Sequence, residues 1–389
     1  MKKNSIASIF VFVLLAASFL NCQTASTSQH WVVVPSPNVS GQDNILAAVA
    51  ANSSNDVWFA GQFIPDNNQD LTQTLIEHWD GTSVKAVSSP NVGTLANALF
   101  AVTAKSGLAW AAGYFLDDKA LQARSLIESF DGQRWKAVDH PHAGTSDQFF
   151  GISAISPSDI WAVGFQTDSS GKFSTLTEHF DGYAWSIVAS PNPGSTGNQL
   201  LAVVAISSKS VWAVGTQAGG QGPDRALIEH WDGSHWSAVN APADPVFSTY
   251  LYAVAGVADD DVRAVGDKQD NIHNPRTLAE DGDGGTFRFQ SAANAGTGEN
   301  HLYGASAVSN DLAFAVGDVL DPASGNFSTL IESCTDSGCA RETSPNPNTG
   351  GNNQLGGVAV VNANPKDVWA VGTFDGPNAP QTLVLHRTQ

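Results

Sequence analysis

The 389-residue sequence has only three cysteines and one methionine, and its charged residues make up 14% of the chain, well under the usual quarter or so. Basic residues are the scarcer sign: 18 Lys plus Arg stand against 37 Asp plus Glu, for a formal net charge of −19. That excess works against sequence-independent binding to phosphate backbones or anionic membrane surfaces, so nucleic acid is not an expected partner. There is no phosphate-cradling glycine loop, no Gly-x-Ser-x-Gly elbow and no zinc-spaced histidine cluster. Beyond Leu20 no apolar run is long enough to cross a bilayer. What is plentiful is glycine (36), proline (18), tryptophan (11) and apolar content (42%), which suits many short strands and turns and a large core.

The first 22 residues read as an address. Lys2 and Lys3 precede an apolar run from Ile6 to Leu20, too short to span comfortably and typical of an export signal. Phe19-Leu20-Asn21-Cys22 is similar to a relaxed bacterial lipobox, with Cys22 as the lipidated first residue of the mature chain. Ordinary cleavage between Thr24 and Ser28 is the alternative. The expected organisation is a signal over 1–22, a linker over 23–30 and one domain over 31–389. Its expected location is secreted, periplasmic or cell-surface, with outer-membrane tethering if Cys22 is lipidated.

Internal repeats dominate the remainder. Asp56-Val57-Trp58-Phe59-Ala60-Gly61 recurs around Trp161, Trp212 and Trp369, with weaker copies at Trp110, Arg263 and Phe314; the centres are 52, 51, 51, 51, 51 and 55 residues apart. Each of the seven units holds four short strand-like runs. The third and fourth are joined by an aromatic-Asp-Gly turn, as at Asp80-Gly81 and Asp232-Gly233. Four antiparallel strands repeated about every 50 residues predict an all-β, seven-bladed β-propeller. Trp31 to Asn38 matches the fourth strand of a unit, while the last unit stops after a third strand at Thr382–His386. The N-terminal strand should therefore complete the last blade and close the ring.

The order of these signals resembles the kelch-like propellers over nearly all of the mature chain, with a single glycine, as at Gly164 and Gly215, where kelch units usually carry a doublet. The resemblance implies a scaffold that serves oxidases, sugar binders and protein-docking platforms alike, so it does not choose among them.

All eleven tryptophans fall in repeat columns, and each can bury an area worth roughly 4–6 kcal/mol gross, which blade packing readily absorbs. Glu77-His78, Glu178-His179 and Glu229-His230 suggest acid–base chemistry, but neighbouring strand residues point to opposite faces. The Glu also recurs as Glu128, Glu280 and Glu332, so the column reads as structural, accepting hydrogen bonds from nearby backbone. Cys334 and Cys339 replace the Asp-Gly turn of the sixth unit and are expected to form a cross-strand disulfide.

The face carrying the long fourth-to-first and second-to-third loops is the candidate site. The Asn44, Asn97, Asp147, Asn198, Thr249, Asn300, Asn353 column reads as a turn device. The next column is irregular, and its Gln148, Gln199, Tyr250, His301 and Gln354 are the candidate ligand-binding residues. Units five and six add Tyr252, Arg263, His273 and Arg276. Tyr250, His301 and Arg263 are the residues an enzyme would use, for proton transfer and anion stabilisation on an acidic sugar, with drift in a degenerate unit and pairing of Arg263 with Asp259–Asp261 as the plainer reading. Asp66, Asn68 and Asp70 alternate as in a calcium loop, but Leu71 stands where that loop needs glycine, and no cofactor is expected. The expected function is an exported, monomeric, non-catalytic propeller that binds a protein or glycan and touches a membrane only through a lipid anchor. A carbohydrate lyase or hydrolase at the channel mouth is the alternative.

Overall fold

The computed structural model describes residues 30–66, 68, 71–220, 222–269 and 274–388. The export signal, Cys22 and the linker to Gln29 lie outside these, as do Asp70 and His273. Every described element is a strand, and no described helix is long and apolar enough to cross a membrane.

The strands group in fours. In the first unit Asn44–Ser53, Asp56–Phe63, Gln73–Trp79 and Val84–Val87 form an antiparallel sheet in chain order. The same order recurs to the last unit, where Asn353–Val361, Asn364–Asp375 and Pro380–Thr388 take His30–Val33 as the fourth strand, with Trp31 opposite Arg387 and Val33 opposite Leu385. Two sets, beginning at Ser146 and Gly197, are joined by a single parallel bridge between Phe173 and Gly197. Among the described residues no sheet closes on itself through hydrogen bonds. Continuity comes from packing: each first strand lies against the first strand of the next unit, and Asn353–Val361 lies against Asn44–Ser53. The architecture is that of a β-propeller.

Each first strand carries a bulge at an equivalent position, between Leu46 and Ala48 in the first unit and between Leu355 and Gly357 in the last, and both of these strands shift register again near their far end. The bulge swings a carbonyl toward the second strand. A Cβ on Gly61 would stand 2.0 Å from the Ile45 carbonyl oxygen, and one on Gly164 1.9 Å from that of Gln148. The single repeated glycine is therefore a clearance requirement.

Between units the tryptophans pack as the repeat predicts. Trp58, Trp161, Trp212 and Trp369 are buried and stack on His78, His179, His230 and His386 at centroid separations of 4.0–4.3 Å. His78, His179 and His386 point Nε2 at Asp56, Asp159 and Asp367, so these imidazoles are held between an indole and a carboxylate. On the opposite face the Glu column is buried at 0% exposure in all six units that have it. Its partners differ from expectation. Among the described residues only Glu332 accepts from backbone, at Ala293 N, whereas Glu77 accepts from Ser36 Oγ and Glu178 faces His140 Nδ1 at 3.2 Å.

The turns are larger than the Asp-Gly dipeptide suggests. Trp79 pairs with Val84, so the connection is the four residues Asp80–Ser83, and Asp80 Oδ1 accepts from Thr82 N and Ser83 N while Gly81 sits at φ +90°. Opposite them, Asn38, Asn91, Asn192 and Asn346 accept from the third-strand amides of Thr382, Thr74, Thr175 and Thr329, clipping each exit loop to its own sheet. Replacing Gly164 with alanine should lower stability by about 1–3 kcal/mol, the usual cost of forcing volume into a packed site. Gly285→Ala, where a Cβ meets nothing within 4 Å, should be near neutral. Urea midpoints of the two variants check this.

Candidate functional site

The long loops share one face. Gly41 N, in an exit loop, donates to Asp66 Oδ1 in a second-to-third loop at 2.7 Å, and Asn352 N donates to Asp375 Oδ2 at 2.9 Å. Asp66 is thus a loop clamp. Asn68 N binds Pro65 O, and Glu77, twelve places into the candidate calcium loop, is buried in its strand. The Asn column acts as expected of a turn device: Asn44 accepts from Val39 N and donates to Gln42 O, and Asn97, Asn300 and Asn353 repeat this.

The bulge residues face the central channel, a cavity of about 170 Å³ lined from all around the ring. They are unequal. Phe100, Phe150, Leu201, Tyr252 and Tyr303 crowd one side, while Ala47 and Gly356 leave the other bare. Phe100 and Phe150 stack in parallel at 4.9 Å, and Tyr252 and Tyr303 meet at 5.6 Å. Directly above, Tyr250 lies parallel to Tyr252 at 6.4 Å, and His301 parallel to Tyr303 at 5.4 Å.

This aromatic arc is joined to carboxylates that sequence reasoning missed. His301 Nδ1 lies 2.7 Å from Asp267 Oδ2, Gln354 Nε2 donates to Asp318 Oδ2 at 2.7 Å, and Tyr250 Oη donates to Asp224 Oδ2 at 3.2 Å. Asp267 and Asp318 each follow the repeated glycine, and each is reached from the first strand of the next unit. Their column reads Gln62, Tyr114, Phe165, Thr216, Asp267, Asp318, Thr373 and is as irregular as the one opposite it; that irregularity was the available signal. Burial would lower the His301 pKa, but the hydrogen bond and charge of Asp267 outweigh it and raise it. Burial lifts Asp318 to about 6 against the opposing Gln354 hydrogen bond. Burial also raises the Tyr252 and Tyr303 hydroxyls, with nearby carboxylates adding to the effect.

The other sequence candidates separate. Gln148 and Gln199 occupy the same column in the third and fourth units, half-buried and across the ring's sequence order from His301. Arg263 does not join the arc. It sits four strand residues from Asp267, about 13 Å along the strand, and is buried with Nη2 on Asp336 Oδ1 at 2.6 Å and on the Asn310 carbonyl. Asp261 at 3.5 Å and Asp281 at 3.8 Å complete its surroundings, so it fills the vacant tryptophan place as a buried ion-pair centre. Arg276 turns away to the Gly296 and Gly298 carbonyls, and Lys268 reaches Asp244 at 3.3 Å. Neither of these two side chains, nor Arg263, is aimed at the arc.

Asp336 lies in the hairpin closed by the Cys334–Cys339 disulfide, whose cysteines are register partners. Glu332 approaches both sulfurs, but a disulfide is no thiolate ligand. A groove of about 710 Å³ on the outer rim is lined by Trp31, Glu342 and Arg387; there Arg387 is spent on Glu342 at 3.0 Å, and the groove belongs to the docking of the N-terminal strand.

No family model and no curated protein matches the chain. Solved structures do. A family 74 xyloglucanase from Xanthomonas campestris matches with TM-score 0.54 and 12% identity over 88% of this chain, which spans about half (53%) of that enzyme. A family 93 α-L-arabinofuranosidase of Fusarium graminearum, solved with arabinobiose, matches at 0.51 and 11% over 91% of this chain and 97% of its own. A protein of unknown function from Dyadobacter fermentans matches at 0.50 and 14% over 92% and 98%. The likeness is one of fold. The xyloglucanase and the arabinofuranosidase are propeller-type proteins, and the kelch-like order remains a property of the sequence motifs alone.

Because Asp267 holds the His301 proton, Asp267→Asn should lower the His301 pKa. Imidazole proton shifts followed by NMR across pH 5–9 would show it; an unmoved titration would refute the pairing. Breaking the disulfide by the Cys334→Ala, Cys339→Ala pair should cost about 2 kcal/mol in the chain-entropy picture, read as a lower urea midpoint.

Proposed function

We propose that the chain is an exported seven-bladed propeller of kelch-like strand order, closed by its N-terminal strand, that binds a neutral glycan at the long-loop mouth of its channel. Its leader carries it out of the cytoplasm, and it acts as a monomer, tethered through Cys22 or freed by cleavage at Thr24–Ser28. The observation that carries this reading is the arc itself. Tyr250, Tyr252, Tyr303 and His301 offer ring faces beside the fixed acceptors Asp267, Asp318 and Asp224 and the amide of Gln354. Flat apolar faces flanked by hydrogen-bonding groups suit a sugar ring, with its axial C–H patches and hydroxyl rim. A single ligand on a repeated scaffold also requires side chains that differ between units, and this is where they differ most. The matched glycosidases share the fold and lend no site residue.

One observation favours hydrolysis as a second reading. Asp318, lifted to about 6 by burial against the opposing Gln354 hydrogen bond and the charge of His301, is suited to hold a proton toward neutral pH. Arg263 lies elsewhere, so of the trio Tyr250, His301 and Arg263 only Tyr250 and His301 reach the arc.

A polysaccharide array probed with the mature chain, with and without calcium, tests the proposal, followed by mass analysis of each bound sugar. Binding to a neutral glycan that leaves it intact is the expected result, with Tyr252→Ala weakening it at least about tenfold, the scale of one lost aromatic contact. Lys85→Ala, exposed on the outer strand of the first unit, should leave it unchanged. A shortened sugar selects the hydrolase, and no glycan bound selects a protein partner.

A further inference from the structure

Six of the seven units place a glutamate at one position of the third strand: Glu77, Glu128, Glu178, Glu229, Glu280 and Glu332, each at 0% exposure. These side chains stand where one unit meets the exit loop of the unit before it. Ser36 Oγ, which leaves the last unit's outer strand, donates to Glu77 at 2.6 Å and lies 2.9 Å from Thr382 Oγ1 of that unit. His140 and Ala293 N occupy the equivalent place over Glu178 and Glu332, and Ser190 over Glu229. Among the described residues neither carboxyl oxygen of Glu128 or Glu280 has a hydrogen-bond partner, and those of Glu229 are equally bare, the Ser190 hydroxyl donating to Thr175. A buried carboxylate without a donor or a cation is not a tolerable species, whereas the neutral acid is.

The seventh unit supplies an internal comparison. Leu385 faces Ala370 as Glu128 faces Ala111, so the packing is satisfied by an apolar side chain of similar size and does not require oxygen. We propose that the glutamate column is a proton-operated clasp: the unit interfaces close over neutral carboxyls, so the ring is tight in acid and loosens as its surroundings become alkaline.

Few charges oppose this. Glu178 faces His140, His142 and Asp147, and Glu332 faces Arg341. Arg263 lies along the same small cavity as Glu280, but its guanidinium is engaged by Asp336 and Asp261. For Glu77, Glu128 and Glu229 burial dominates and no ionised group contributes. Burial raises Glu77 and Glu332 to about 7 and Glu229 and Glu280 to about 8, and it raises Glu128 and Glu178 as well. A carboxyl raised on folding contributes stability that is whole below its unfolded value, roughly 4.3, and that is lost as pH climbs through the folded value. The exposed turn aspartates Asp80, Asp131 and Asp232 shift the other way through hydrogen bonds to Lys85, Lys136 and Ser234 and matter only in stronger acid.

The test is urea unfolding of the full mature chain from pH 5 to 8.5. Each clasp glutamate adds one proton taken up on folding, so the folding constant should fall by up to about tenfold per pH unit per group. The pair Glu128→Gln, Glu280→Gln should remove about two protons from that slope, and the pair Glu128→Leu, Glu280→Leu, copying Leu385, should do the same if the amides fold poorly. A midpoint that rises with pH, or a slope unchanged in both pairs, overturns the proposal. The experiment needs no ligand, so its outcome is independent of whether the mouth binds a glycan.

Discussion

The approach of one carbonyl to one glycine governs this molecule. At every repeat the first strand bulges, and the freed carbonyl occupies the space that a side chain would take on the second strand: Ile45 over Gly61, Tyr250 over Gly266, Gln354 over Gly372. The bulge does two things at once. It bends the innermost strand enough for units to meet around a channel, and it turns one side chain per unit into that channel. Those channel residues need not be alike, because the constraint falls on the glycine opposite and not on them. Ala47 and Tyr303 therefore occupy equivalent positions on equivalent backbone. The scaffold is strict where backbone meets backbone and permissive where function resides.

The interfaces between units divide along the same line. One side of the third strand carries histidines, His78, His179 and His386, each stacked on an indole with Nε2 on a carboxylate. The other side carries the glutamates, buried and poorly partnered. Adjacent residues that look catalytic as a pair in the sequence thus serve two separate interfaces. Where the pattern breaks, in unit five, Arg263 and Asp281 replace Trp and His, and the gap is bridged from the next unit by Asp336, on the hairpin closed by the Cys334–Cys339 disulfide.

The fold was legible because it is written repeatedly. A glycine spaced by about 51 residues reports a backbone contact, and backbone contacts recur faithfully; the match of Trp31–Asn38 to a fourth strand revealed how the last sheet is completed. The site was legible only in half. Tyr250, His301 and Gln354 stood out in an irregular column, yet their partners Asp267 and Asp318 stand on the second strand of the preceding unit, about 35 residues earlier, where the regular Trp-Ala-Val-Gly signal overshadows them. Arg263 misled for the converse reason. Its column is a packing column, so its irregularity marked a repaired core and not a ligand.

That contrast sharpens what symmetry breaking means on a repeated scaffold. A departure from the repeat at a position facing another unit must be compensated by the neighbour, and Arg263 shows the compensation in full: three carboxylates and a backbone carbonyl gather around one guanidinium. A departure at a position facing the channel meets no such demand. Tyr252 and Tyr303 are accommodated there without any answering change in Ala47 or Gly356, which leave the far wall open. Uncompensated irregularity is the more telling kind, because no requirement of packing produces it. By that measure Tyr252 and Tyr303 are the part of this ring that folding does not explain.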